Sequence, residues 1–91
     1  MARIVTDPSQ EADLGPGTIL VAPHTDPSWT PLFLGVDGVV VDVGGQMSHA
    51  VIVARELGLP CVVAVEAATR RIADGVSITI DGAAGTVTIN E

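Results

Sequence analysis

The chain has 91 residues, 47% of them hydrophobic and 2% aromatic, which suits one domain with an aliphatic core and disfavours disorder. Eleven Asp and Glu stand against four arginines (Arg3, Arg55, Arg70 and Arg71) and no lysine, a net charge of −7 that repels nucleic acid and anionic membranes. The lack of lysine and of a G-x-x-x-x-G-K-[ST] loop argues against a nucleoside triphosphate held by this domain alone, so phosphate chemistry here would borrow cations from a partner.

Residues 1 to 15 are polar and read as an irregular lead-in or linker, with one apolar piece at Ile4-Val5 and no apolar signal-peptide core. Pro16-Gly17 is a turn signal. Thr18 to Ala22 (TILVA) reads as a buried strand. Pro23 to Gly35 begins as a loop. Asp26 or Ser28 is then expected to cap a short helical turn that carries Trp29, Leu32 and Phe33 inward, with Pro31 in the first turn where its missing N–H is harmless. Gly38 to Val43 (GVVVDV) is a second strand, its consecutive valines suited to a sheet covered on both faces. Gly44-Gly45 break it.

From Ser48 the pattern turns helical, with Ile52, Val53 and Leu57 as apolar positions and Gly58 and Pro60 as the stop. Cys61 to Val65 is a third strand. Its cysteine, the single one, can make no internal disulfide and fits a reducing cytoplasm. Glu66 to Gly75 is a short helical or irregular connection ending in a turn at Asp74-Gly75. Val76 to Ile89 alternates apolar and polar on both sides of DGAAG, a hairpin pattern. These elements make a compact α/β domain whose strand order the sequence leaves open. No apolar run reaches the ~18 residues of a transmembrane helix.

The junction GGQMSHA concentrates the chemistry. Ser48 stands at the N-cap position, which puts His49 first in a helix whose opening N–H groups lack intrahelical acceptors. The helix dipole disfavours the imidazolium form, so His49 is expected to be neutral and nucleophilic near neutral pH. The same N–H groups, with those of Gly44 and Gly45, would stabilise an anion attached to or approaching the ring. A phosphoryl group meets both conditions. The residues alone leave a solvent-exposed or capping histidine open as well. A metal site lacks ligands, because His24 and His49 are the two histidines and no Cys cluster joins them.

GGQMSHAVIVARELGLPCVV resembles the phosphohistidine signature of the phosphoenolpyruvate-utilising enzymes, matching it at Gly44, Gly45, Ser48, His49, Ala50, Ile52, Val53, Ala54, Arg55, Leu57, Gly58, Leu59, Pro60, Val62 and Val63. Upstream, GTILVAPHTDPSWTPLF is similar to that family's strand and T-x-P/D-x-W-x-P loop. Downstream, ATRRIADGVSITIDGAAGTV is similar to its closing block. Met47 departs from a common threonine, and Ala64 from a common glycine, which is expected to tighten the backbone after the third strand.

The resemblance implies a single swivelling β/β/α phosphohistidine domain over residues 16–91, with residues 1–15 as lead-in. It implies His49 as the phosphoryl acceptor and donor, through Nε2, and Gly44, Gly45, Ser48 and Thr25 as support for the phosphoryl site. Ser48 would serve first as helix cap, and Thr25 as an orienting hydroxyl or a loop cap. Arg55 would tie the helix to a carboxylate or dock on a partner. No metal or cofactor is expected on this domain; Mg and ATP are expected on an ATP-grasp nucleotide-binding domain, and phosphoenolpyruvate, pyruvate or another acceptor on a further domain, in cis or in trans. The chain would then be a phosphotransferase component, inactive without those partners. The alternative is a non-catalytic docking or regulatory module that keeps the fold.

Overall fold

The computed structural model describes residues 1–7, 17–43, 48–65, 67–82 and 85–90. Four strands, β1 (Ala2–Ile4), β2 (Ile19–Ala22), β3 (Gly38–Val41) and β4 (Cys61–Val62), form a sheet in the order β1-β2-β3-β4, every pair parallel. Between β2 and β3 a 3-10 turn, Pro27–Trp29, runs into α1 (Thr30–Phe33). Helix α2 (His49–Leu57) joins β3 to β4. Helix α3 (Ala68–Arg71) and an antiparallel hairpin, β5 (Ile78–Asp81) and β6 (Thr86–Ile89), complete the described chain. Among the described residues no helix is long and apolar enough to cross a membrane.

Side chains on a strand point alternately to opposite faces, and here both faces are covered. Leu20, Ala22, Val39 and Val41 meet Val5, Trp29, Phe33, Val36 and Ala50 on the α1/α2 side. Val21, Val40 and Val62 meet Ala2, Ala68, Ile72 and Ile78 on the side of α3 and the hairpin. Burial on both faces is what a run of valines in a parallel sheet requires, and each buried valine contributes roughly 1.5–3 kcal/mol. Trp29 and Phe33 supply the aromatic volume of the first layer, at 2% and 1% exposure. Asp26, rather than Ser28, caps their turn: its carboxylate accepts from the Ser28 N–H at 2.9 Å.

The irregular reading of residues 1 to 15 is corrected at residues 2–4, which form edge strand β1 beside β2. Three residues are too few to display a period, and the strand forms because its neighbours complete it. Ala2 and Val5 are fully buried. The outer edge is closed by residues 74–76: Ala2 N–H donates to Val76 at 2.7 Å, Gly75 N–H to Ala2 at 2.7 Å, and Ile4 N–H to the Asp74 carboxylate at 2.9 Å. Arg3 pairs with the same carboxylate at 3.1 Å. A covered edge cannot recruit another strand.

Helix α2 is seated by small residues. Ala50 and Ala54 are buried and Val53 packs in part, whereas Ile52 and Leu57 are each 41% exposed. The helix ends as its sequence implied. Gly58 is left-handed at φ 72°, Leu59 N–H bonds Ala54 at 2.8 Å and Gly58 N–H bonds Arg55 at 3.2 Å, together closing the last carbonyls.

The parallel arrangement sends the chain out of β2, β3 and β4 at one end of the sheet, where such folds place ligand sites. Hydrogen bonding runs past the strand ends there, from Asp42 N–H to Ala22 at 3.1 Å and from Val43 N–H to Pro23 at 3.2 Å. Ala22–Pro23, leading toward Thr25, and Asp42–Val43 therefore leave the sheet side by side. Strand β4 stops at Val62, short of the expected Val65. Ala64 takes φ 57°, the left-handed region where its common counterpart in the resembling family, glycine, is at ease.

Asp42 fixes α3 to this same end. Its two carboxylate oxygens accept from Thr69 N–H at 2.9 Å and Thr69 Oγ1 at 2.7 Å. Asp42→Ala is expected to lower the unfolding free energy by about 1.5–3 kcal/mol, the range for hydrogen bonds to a charged group. Urea unfolding followed by circular dichroism checks this, and a loss below about 0.5 kcal/mol would show that the link carries no stability.

Candidate active site

Ser48 has extended backbone (φ −70°, ψ 156°) and its carbonyl accepts the first helical bond, from Ile52 N–H at 3.1 Å. It thus holds the N-cap position expected of it. Its side chain does not cap: Oγ makes no hydrogen bond to the helix, is shut off from solvent and has no partner among the described residues. The serine side-chain cap is the correction here. The N–H groups of His49, Ala50 and Val51 open the helix without intrahelical acceptors, and no carboxylate lies in that first turn.

His49, half-buried, is framed by one segment of chain. Thr25, in the loop after β2, places Oγ1 2.8 Å from Nδ1 of the imidazole. Thr30, the first residue of α1, places Oγ1 3.2 Å from Nε2. Phe33, one turn further, meets the ring edge to face, with centroids 5.7 Å apart and planes at 71°. A hydroxyl can donate or accept, so both ring nitrogens are satisfied whichever holds the proton. The frame rests on the core, because Phe33 is anchored among Leu20, Val39 and Trp29.

Thr25 therefore sits where it can orient the ring. Thr30 escaped the sequence reading, although a signal existed. Phe33 was expected to point inward, and a residue three positions earlier on a helix shares its face. Gly44 and Gly45, expected to support the phosphoryl site, lie outside the described residues. Arg55 is exposed and meets no carboxylate among the described residues, so the tie to a neighbouring acid is not formed there. It lines a groove of 640 Å³ between α2, β4 and the hairpin, with Val51, Leu59 and Cys61. His24 is exposed. The Asp26 carboxyl is held below its usual range by the Ser28 hydroxyl and N–H. Among the described residues no three His, Cys, Asp or Glu side chains gather as metal ligands would.

The model of the family described as PEP-utilising enzyme, mobile domain, matches residues 14–85. The chain belongs to that family. Two rifampicin phosphotransferases resemble this mobile domain closely, that of Streptomyces sviceus at 54% identity and that of Bacillus subtilis strain 168 at 49%, each over 97% of the chain and 10% of the relative. Among solved structures, an NMR solution structure of Enzyme I matches with a TM-score of 0.70 and 35% identity, over 80% of this chain and 30% of that one. The chain thus spans about a tenth of the length of the curated relatives it matches.

Cys61, on β4, belongs to the structure of the mobile domain rather than to its chemistry. Burial pushes its thiol up from 9.0 to about 11. A raised thiol ionises later, so alkylation of the folded protein should climb toward that higher value while the unfolded chain reacts through the ordinary range. At mildly alkaline pH, iodoacetamide is expected to label folded protein about 100-fold more slowly than protein in urea, the ratio of thiolate populations for a two-unit shift. Equal rates would contradict it.

Proposed function

We propose that this chain is the phosphohistidine carrier of a multidomain phosphotransferase, receiving a phosphoryl group on His49 at one partner site and delivering it at another. One observation carries the reading: the imidazole of His49 is held by Thr25 and Thr30 at the mouth of a helix whose first N–H groups lack intrahelical acceptors.

In the transfer, a ring nitrogen attacks phosphorus, the new N–P bond forms as the bond to the donor oxygen breaks, and the electron pair leaves with that oxygen. Such a transition state spreads charge over the phosphoryl oxygens, and its catalysis is positioning plus electrostatics. The hydroxyl frame supplies the positioning. The helix N-terminus supplies a partial positive charge and donors for the oxygens. Ser48, whose hydroxyl has no partner among the described residues, would add a donor, and Gly44 and Gly45 would support the site as their sequence suggests.

What the chain lacks belongs to its partners. A net charge of −7 without lysine is a poor host for polyphosphate, so an ATP-grasp domain would hold Mg and ATP. A further domain would hold phosphoenolpyruvate, pyruvate or another acceptor; the relatives named for rifampicin suggest a drug as one such acceptor. Residues 16–91, with strand β1 docked on their sheet, would move as one body between these sites, and Arg55 would be available for docking.

The test is transfer in a reconstituted mixture. With the nucleotide-binding and acceptor proteins and a radiolabelled donor, the wild-type chain is expected to take up acid-labile, base-stable label and His49→Ala none. Equal labelling of the two would overturn the carrier reading in favour of a docking or regulatory module.

A further inference from the structure

Strand β4 has a second edge, on the side away from β3. Val39 stands in register with Cys61, and its N–H bonds the Pro60 carbonyl at 3.0 Å. That pairing turns the N–H and C=O of Val62 toward β3 and those of Cys61 and Val63 away from it. Cys61 and Val63 also pack on the same apolar cluster, as alternate residues of an extended chain do. The hairpin closes the Cys61 end, where a methyl group on Gly82 would sit 3.3 Å from the Cys61 nitrogen. At Val63 the edge is unpaired: neither its N–H nor its carbonyl has a hydrogen-bond partner among the described residues. Such an edge is a template for another strand, unlike the covered edge at β1.

Two hollows meet at this edge. The groove of 640 Å³ between α2, β4 and the hairpin adjoins one of 290 Å³ beside α3 and β6, and Val63 and Gly85 line both. Arg55 lines the first and Arg71 the second. The whole chain has eleven acidic residues and four arginines. Two of those arginines line the hollows, and among the described residues no Asp or Glu does. The local charge is thus opposite in sign to the chain's net −7. A second copy would bring the same net negative charge against this one, which disfavours it as the occupant. A segment rich in carboxylates is attracted here and repelled by the rest of the surface.

We propose that the unpaired edge at Val63 is a docking site for an extended acidic segment of a partner protein, which adds a strand beside β4 and sets its carboxylates against Arg55 and Arg71. Val63 exchanges two backbone bonds with the residue opposite it. Its N–H donates to that residue's carbonyl, and its carbonyl accepts from that residue's N–H. The backbone bonds supply affinity, and the arginines supply the preference for acidic sequence. His49 opens α2 and Arg55 stands in its last turn, so the docking site and the imidazole belong to opposite ends of the helix. The proposal stands or falls independently of the carrier reading.

Proton–nitrogen correlation spectra of the isotope-labelled chain, titrated with the blocked peptide acetyl-Asp-Val-Thr-Val-Glu-Val-amide, test it. Saturable binding is expected with a Kd on the order of millimolar, and the largest shifts at the Val63 amide and the Arg55 Nε–H. The same peptide with Asn and Gln in place of Asp and Glu should bind about 5-fold more weakly, near the upper range for one exposed ion pair. Arg55→Glu should weaken the acidic peptide by at least as much. Val63→Pro removes the outward N–H, a change that edge positions tolerate, and should abolish binding. No shift at Val63 up to about 10 mM peptide, largest shifts elsewhere, or equal binding of the neutral peptide overturns the proposal. Self-association of the chain that Val63→Pro abolishes also overturns it, because the edge then belongs to a second copy. Should the proline variant not fold, Arg55→Glu and the neutral peptide decide.

Discussion

His49 is useful only where another segment of chain holds its ring, and the parallel order of β2, β3 and β4 brings that segment to it. Parallel strands release their chain at a common end. Here the bonds from Asp42 to Ala22 and from Val43 to Pro23 carry the β2–β3 pairing past the strands themselves. The start of the loop bearing Thr25 and the residues just after β3 are thus kept abreast as they leave the sheet. From that constraint follow the 2.8 Å and 3.2 Å contacts of the two threonines and the seating of Phe33 against the ring. A change in strand order would keep every residue and lose the site.

The core and the site share material. Phe33 belongs to the cluster of Leu20, Val39, Trp29 and Ala50 while its ring touches His49. Ala50, next to the histidine, lets α2 lie close to the sheet. Part of the positioning, through Phe33 and Ala50, is therefore built into the packing, as the proposed transfer by geometry and electrostatics would demand. The acidic, lysine-free composition fits the proposed division, in which the mobile domain would offer a nucleophile and a few backbone donors while other domains would hold the metal and polyphosphate.

Much of this was legible in the residues, for identifiable reasons. Strands β2 and β3 and the hairpin carried clear periods or continuous β-branched runs, and Gly58 marked the end of α2 because a left-handed residue was needed there. Strand β1 was not legible: three residues show no period, and its partners at Ile19–Val21 and Asp74–Val76 lie far along the chain. Ser48 was legible as a position and not as a contact, since a cap motif does not say where the hydroxyl turns. Thr25 was found through a family pattern, while Thr30 needed the helical phase of Phe33 to be followed backwards by one turn. The apolar look of Ile52 and Leu57 misled about α2, which buries Ala50 and Ala54 instead and leaves both of those residues exposed.

The central claim is that His49 itself carries the phosphoryl group, and mapping the modified atom tests it most directly. The wild-type chain, after incubation with its phosphoryl-donating partner domain, would be fragmented by electron transfer under non-acidic handling and the added mass assigned to a residue. The account predicts the phosphoryl group on His49. Its appearance on His24, Ser48 or any other side chain, or an unmodified His49 in a partner-competent mixture, would contradict it.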